Sequence, residues 1–136
     1  MPASRATAVS EPIPADVQRF VLLAIPSVPY LEALLLMRSS AGRCWNAVQV
    51  AQRLYLAEAV AQALLAELLA AGAIGADPAQ AGHYRFQPQS AQQAALIERL
   101  AAIYARNLVG VSTLIHSKTS KKAQQFADAF IIRRDS

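Results

Sequence analysis

Apolar residues recur at steps of three and four along much of the chain, the spacing that places them on one side of an α-helix. Proline, glycine and polar capping residues divide this pattern into segments. The segments predicted to be helical are residues 14–24, 28–39, 46–55, 58–71 and 90–116. The chain is therefore predicted to be mainly α-helical, and its many alanines and leucines favour the same structure.

Two of these helices begin with a capping-box pattern. Asn46 is followed three residues later by Gln49, and Ser90 is followed by Gln93. In such a box the first side chain accepts from a backbone N–H of the helix, while the second returns a bond to the cap residue. Gly72 fits the end of the helix over residues 58–71, because glycine tolerates the left-handed backbone found after many helices.

The helical period breaks in two places, where the sequence predicts β-structure. Residues 73–88 read as a short strand, a turn-rich tip and a second short strand with alternating side chains, which is the pattern of a hairpin. Residues 43–45 are too short to form a sheet alone but suit one strand of a small one. The predicted fold class is therefore mainly α with a small β hairpin.

The order helix, strand, helix, turn, helix, hairpin, long helix resembles that of a winged helix-turn-helix. Two stretches carry the resemblance: WNAVQVAQRL at 45–54 is like the first helix of the motif, and LAELLAAGAI at 65–74 is like the end of the second. The chain is similar in size and layout to bacterial MarR-type transcription regulators, best over residues 28–88. This resemblance implies flanking N- and C-terminal helices that form a homodimer, with helix 58–71 in the DNA major groove and the hairpin wing at the minor groove.

The composition agrees with one folded domain and flanking segments. A chain of 136 residues with 54% hydrophobic and 16% charged residues can bury a substantial core. Residues 1–12 are predicted to be a disordered tail because they are small, polar and contain prolines. The winged-helix domain with its long C-terminal helix is predicted over 13–116, and a basic, aromatic C-terminal segment over 117–136.

The second helix of the motif, residues 58–71, contains neither lysine nor arginine. Gln62 can pair with adenine and Glu58 can accept from cytosine, but a carboxylate also meets the charge of the phosphates. Arginines outside this helix supply the remaining contacts. The predicted DNA-binding residues are Arg43, Arg53, Glu58, Gln62, His83 and Arg85. The sequence thus predicts weak base readout, and it leaves open the alternative of a winged-helix protein–protein interaction module without sequence-specific DNA binding.

The long helix carries an apolar row at near-heptad spacing, in which Asn107 occupies one position. Such a row favours pairing with a second copy of the same helix. The predicted dimer-interface residues are Ile97, Leu100, Tyr104, Val111 and Leu114.

The C-terminal segment combines cations with aromatic residues. Its predicted partner-binding or phosphate-contacting residues are Lys118, Lys121, Lys122, Phe126, Phe130, Arg133 and Arg134. The segment can dock on an acidic protein, on DNA phosphate or on the other subunit; alternatively, its two phenylalanines pack on the domain's own core and its cations are solvated. Membrane binding is disfavoured because Asp128 lies in the middle of a short segment.

Charge and cysteine content set broad limits on partners and location. The formal net charge is +4, which permits nucleic acid, an acidic protein or an anionic surface as partner. A single cysteine, Cys44, rules out an internal disulfide and favours a reducing cytoplasm. The long apolar runs are interrupted by prolines or glutamates, so no membrane-spanning helix is expected.

No group of residues in the sequence has the spacing of a catalytic or metal site. The chain has two histidines and one cysteine, without clustered carboxylates, and it has no glycine-rich phosphate loop. We therefore expect no enzyme activity, no metal and no cofactor. Cys44 is interpreted as a small hydrophobic residue, with oxidant sensing by its thiol as the alternative.

Overall fold

The computed structural model describes residues 12–118. Its elements follow the predicted order, and residues 108–118 are also helical and are called α6. The other elements are α1 (Ala15–Ala24), α2 (Val28–Ser39), α3 (Ala47–Leu54), α4 (Glu58–Ala70), β1 (Ile74–Ala76), β2 (Tyr84–Phe86) and α5 (Ala91–Arg106). The described residues form two compact units, one over Val28–Ala101 and one that combines residues 12–27 with residues 102–118. Residues 1–11 of the tail predicted over 1–12, and residues 119–136 of the C-terminal segment predicted over 117–136, lie outside the described residues.

The helix-turn-helix is formed by α3 and α4. The predicted capping box at the start of α3 is confirmed: Gln49 N–H donates to Asn46 Oδ1 at 2.9 Å, and Asn46 N–H donates to Gln49 Oε1 at 3.0 Å. Helix α3 ends at Tyr55, whose φ of 59° is left-handed although the residue is not glycine. Tyr55 as a whole is 95% exposed. Helix α4 then begins after Ala57, which offers no side-chain cap.

The core of the Val28–Ala101 unit lies under α4. The inner side of this helix buries Leu64, Leu65 and Leu68, and α4 packs against α3 and α2. The completely buried Ala61 lets these helices approach closely. Trp45 is also buried, and its indole N–H donates to Ser40 Oγ at 3.0 Å, so the ring fills the core without leaving a donor unsatisfied.

The predicted hairpin is confirmed as a two-stranded antiparallel wing. Gly75 pairs with Arg85, and the flanking pairs extend this register by one residue on each side. Trp45 adds the predicted third strand as a single bridge, in which its N–H donates to Tyr84 O at 2.7 Å and its carbonyl accepts from Tyr84 N–H at 2.8 Å. Together with the capped helix pair, this wing makes the unit a winged helix-turn-helix.

The long helix predicted over 90–116 is two helices, because Asn107 interrupts it. The N–H of Asn107 donates to Ile103 O at 2.7 Å and closes α5, while its side-chain Oδ1 accepts from Gly110 N–H at 2.9 Å and caps α6. Asparagine favours such positions because its short side chain competes for backbone hydrogen bonds. A Cβ at position 110 would meet this same amide, so the absence of a side chain on Gly110 permits the cap.

Helices α1 and α6 each have one buried apolar side. Val17, Val21 and Ile25 are four residues apart and almost completely buried, as are Val111 and Ile115. Among residues 12–118 no single helix is long and apolar enough to cross a membrane; the bent pair α1 and α2 reaches that threshold together, by length and composition only.

Candidate nucleic-acid interface

The outer face of α4 is exposed and contains no cation. Its exposed small and polar residues are Glu58, Ala59, Gln62, Ala63, Ala66, Glu67 and Ala70, and Val60 and Leu69 of the same helix are 44% and 40% exposed. This exposure follows from the apolar stripe on the opposite side of the helix, which directs the small and acidic residues outward. The structure thus presents two carboxylates and one amide, Gln62, where a DNA-reading helix would present its contacts.

A groove of about 290 Å³ lies between the start of α3, the outer side of α4 and the wing, and we call it the wing groove. Its polar lining is formed by Asn46, Glu58, Gln62 and His83, and its lining contains no lysine or arginine. Asn46 Nδ2 lies 3.4 Å from His83 Nε2, and His83 Nδ1 lies 3.3 Å from the carbonyl oxygen of Ala81. His83 is therefore held in the wall of the groove by neighbouring residues.

Arg85 on the wing is paired with an acid. Its guanidinium lies 3.7 Å from Asp77 Oδ1, and Asp77 also accepts from Ala79 N–H at 3.0 Å and from the Cys44 thiol at 3.4 Å. The pKa of Asp77 is lowered mainly by the backbone hydrogen bond from Ala79, then by the hydrogen bond from the Cys44 thiol and by the charge of Arg85. These interactions keep the carboxyl group of Asp77 ionised. The predicted phosphate contact by Arg85 therefore has to compete with a carboxylate.

The environment of Cys44 disfavours ionisation of its thiol. Its partial burial, followed by the hydrogen bond to Asp77, raises the pKa of Cys44. Since the thiolate is the reactive form, this environment reduces the nucleophilicity of Cys44 at neutral pH.

Two of the predicted DNA-binding cations come together beside the first helix of the motif. Arg43 and Arg53, with Trp45, Gln49 and Gln52, line a shallow depression of about 310 Å³, which we call the arginine patch. The Arg43 guanidinium lies 3.9 Å from the centre of the Trp45 ring, so a cation–π contact orients it. Both arginines are exposed, and such guanidinium groups can pair with phosphate oxygens.

The two arginines were predicted as separate DNA contacts, and the patch that they form together was not predicted. Gln49, Gln52 and Arg53 are spaced by three and four residues, which places them on one face of α3. This spacing is the feature of the sequence that could have indicated the part of the patch on α3. The addition of Arg43 depends on the bridge between Trp45 and the wing, which no local pattern indicates.

Most of the predicted dimer row is buried in its own chain. Ile97, Leu100 and Val111 are between 0% and 1% exposed, and only Tyr104 and Leu114 keep part of their surface. The first three side chains therefore have no surface for a partner, and their apolar spacing reflects the core instead. Other apolar side chains are exposed on α1 and α6: Leu22, Leu23, Leu108 and Val109 are 39%, 80%, 55% and 72% exposed.

Lys118, predicted to bind a partner or contact phosphate, is engaged by carbonyl groups of its own chain. Its ammonium donates to the carbonyl oxygens of Leu22 at 2.8 Å and Ile25 at 3.1 Å. These carbonyls lie at the end of α1, where they lack partners within the helix and where a positive charge is favoured. The remaining residues predicted for the C-terminal segment, from Lys121 to Arg134, lie outside the described residues.

Residues 12–118 contain no group of three or more histidine, cysteine or acidic side chains that could hold a metal ion.

No protein-family model matches the chain, and no curated protein matches it. The chain is similar to a crystal structure of a mutant MarR from E. coli. The identity is 14%, the TM-score is 0.48, and the match covers 93% of this chain and 98% of that chain. The winged helix-turn-helix rests on the element order, the capped turn and the paired wing described above.

Proposed function

We propose that this chain is a winged-helix transcription regulator that binds duplex DNA as a homodimer, with weak base readout and a cytoplasmic location. The arginine patch is the observation that carries the proposal. It places two exposed guanidinium groups on one concave surface beside the helix-turn-helix. Phosphate contacts by such cations supply most of the affinity of many DNA-binding proteins.

In this mechanism α4 contributes orientation and little selectivity. Gln62 is the side chain on its outer face that can pair bidentately with adenine. Glu58 and Glu67 have to lose solvent beside phosphate charge, which opposes close approach. The expected result is a protein that binds many duplexes with similar affinity.

Two phosphate contacts per subunit would give about four in a dimer. At about −0.9 per contact, the slope of log K against log salt should be about −4. Fluorescence anisotropy with a labelled genomic duplex over a series of salt concentrations measures this slope directly.

The double variant Arg43→Ala, Arg53→Ala should lose most of the slope, and its affinity should fall alike for unrelated duplexes. Arg19→Ala is the matched control, because Arg19 is an exposed arginine of α1 and not part of the patch. Unchanged affinity and slope in the double variant would remove the basis of the proposal.

The homodimer is supported by the exposed leucines and valine of α1 and α6 rather than by the buried row. Leu23 and Val109 are the most exposed of these residues, at 80% and 72%. Leu23→Glu with Val109→Glu should lower the weight-average mass in sedimentation, whereas the exposed α4 variant Ala63→Glu should not. Equal masses for the variant and the wild type would place the contact elsewhere.

A second candidate function is a winged-helix protein–protein interaction module. The cation-free outer face of α4 favours it, since alanine permits close approach and loses no side-chain entropy on binding. Absence of duplex binding at low salt, where cation–phosphate contacts are strongest, would favour this alternative. The partner proposed for this second function is an acidic protein that contacts the cations between residues 121 and 134.

A further inference from the structure

We propose that the wing groove is the docking site for the C-terminal segment, residues 119–136, of a second copy of this chain. The proposal rests on the homodimer proposed above and adds a second contact to that of α1 and α6; its test does not require DNA. It commits to the segment as occupant because the charges and the apolar surface of the two partners are complementary.

The groove presents an acidic group next to apolar surface. Glu58 is exposed at its edge, and Val48 contributes an aliphatic side chain that is 43% exposed. Ala66 and Gly82 leave its walls low, so a bulky side chain can enter. A volume of about 290 Å³ is near the lower limit of ligand pockets, which suits one or two side chains rather than a whole helix.

The segment has the opposite character. It carries four cations, Lys121, Lys122, Arg133 and Arg134, and two aspartates, which leaves a net charge of +2. Phe126 and Phe130 lie between the two cationic pairs and supply the apolar anchor.

DNA is poorly suited to bind in this groove, which favours a cationic peptide segment as the ligand. Phosphate would meet the carboxylate of Glu58 and find no lysine or arginine in the lining. A cationic segment meets an attractive charge in the same place, and its aromatic ring gains from leaving water.

A second copy can supply the segment with two-fold symmetry. In an isologous dimer each subunit offers one groove and one segment, so both grooves are filled by the same contact. In the proposed dimer, such an exchange would add a contact to the exposed surfaces of α1 and α6.

The test uses the full chain, labelled with ¹⁵N and carrying Phe126→Ala and Phe130→Ala, so that its own segment does not compete. A synthetic peptide of residues 119–136 is the probe, and no DNA is present. We expect saturable shifts of the amide signals of Glu58, Gln62 and Gly82. The same peptide with both phenylalanines replaced by alanine should cause no such shifts.

The charge contribution is tested on the groove. Glu58→Gln in the labelled chain should raise the Kd of the peptide about two- to fivefold, the range expected for an accessible ion pair. Glu32→Gln is the control, since Glu32 is exposed on α2 and does not line the groove; it should leave the Kd unchanged.

Sedimentation of unlabelled chains tests whether the segment links two copies. At one concentration, the wild type should have a higher weight-average mass than the variant with both phenylalanines replaced. The variant Lys121→Gln, Lys122→Gln, which keeps both rings, should fall between them. No shifts with the peptide, shifts centred on the arginine patch, or equal masses would each overturn the proposal. None of these outcomes depends on whether the chain binds duplex DNA.

Discussion

The start of α3 offers a sharp test of how the helix-turn-helix is held. Asn46→Ala removes the side-chain acceptor for Gln49 N–H and the contact of Asn46 Nδ2 with His83 on the wing. Loss of an N-cap costs about 1 kcal/mol, and loss of a partly buried neutral hydrogen bond costs about 0.5–1.5 kcal/mol. The free energy of unfolding should therefore fall by about 1.5–2.5 kcal/mol.

Urea denaturation measures this change. With a denaturant slope of about 2 kcal/mol/M, typical of small proteins, the midpoint of Asn46→Ala should fall by about 1 M. Asn46→Asp is the matched variant, because aspartate keeps the capping acceptor and is equally favoured at a helix start. It should lose less than about half as much. If the two variants were equally destabilised, or if neither differed from the wild type, the capping box would not be what fixes α3.

Three further predictions concern polar and charged side chains. Acidification should remove the small stabilisation from the Arg38–Glu98 pair, because hydrogen bonds from Arg38 lower the pKa of Glu98 in the folded protein. The pair therefore stabilises the fold at a pH above the pKa of Glu98 in the unfolded chain. This contribution is lost as the pH falls through the lower pKa of the folded protein. Because both side chains are accessible, Glu98→Gln should cost less than about 1 kcal/mol near neutral pH and nothing in acid. Lys118→Met should lower the stability of α1 by about 1 kcal/mol in thermal denaturation, and Lys118→Arg should recover part of it. Gln62→Ala should change duplex affinity by less than about 1 kcal/mol, and a loss of discrimination between duplexes would show that α4 does select bases.

The helices and the wing were predictable because their signals are local. The capping box at Asn46 and the apolar stripe of α4 involve residues within one or two turns of each other. The break at Asn107 was not predicted, since asparagine is compatible with both a helix interior and a cap, and Gly110 decides between them. Apolar spacing predicts that a face is covered without saying what covers it, and for that reason the row containing Leu100 suggested a dimer.

The candidate site was predictable only in part. The absence of cations on α4 is a property of one helix and can be seen in the sequence. The arginine patch and the pairing of Arg85 depend on residues brought together by the wing, as the contact between Cys44 and Asp77 across 33 positions illustrates. The role of Lys118 is equally long-range, since its partners are more than 90 residues away.

The left-handed backbone at Tyr55 gives a practical route to a more robust protein. For a residue with a Cβ, this backbone conformation costs about 1–2 kcal/mol relative to the ordinary helical one. Because Tyr55 is 95% exposed, burial of its side chain offsets almost none of this cost. Asparagine tolerates the conformation better than other residues with a Cβ. Tyr55→Asn should therefore raise the melting temperature while leaving α3 and α4 in place, which would make the protein easier to handle in all the binding measurements above.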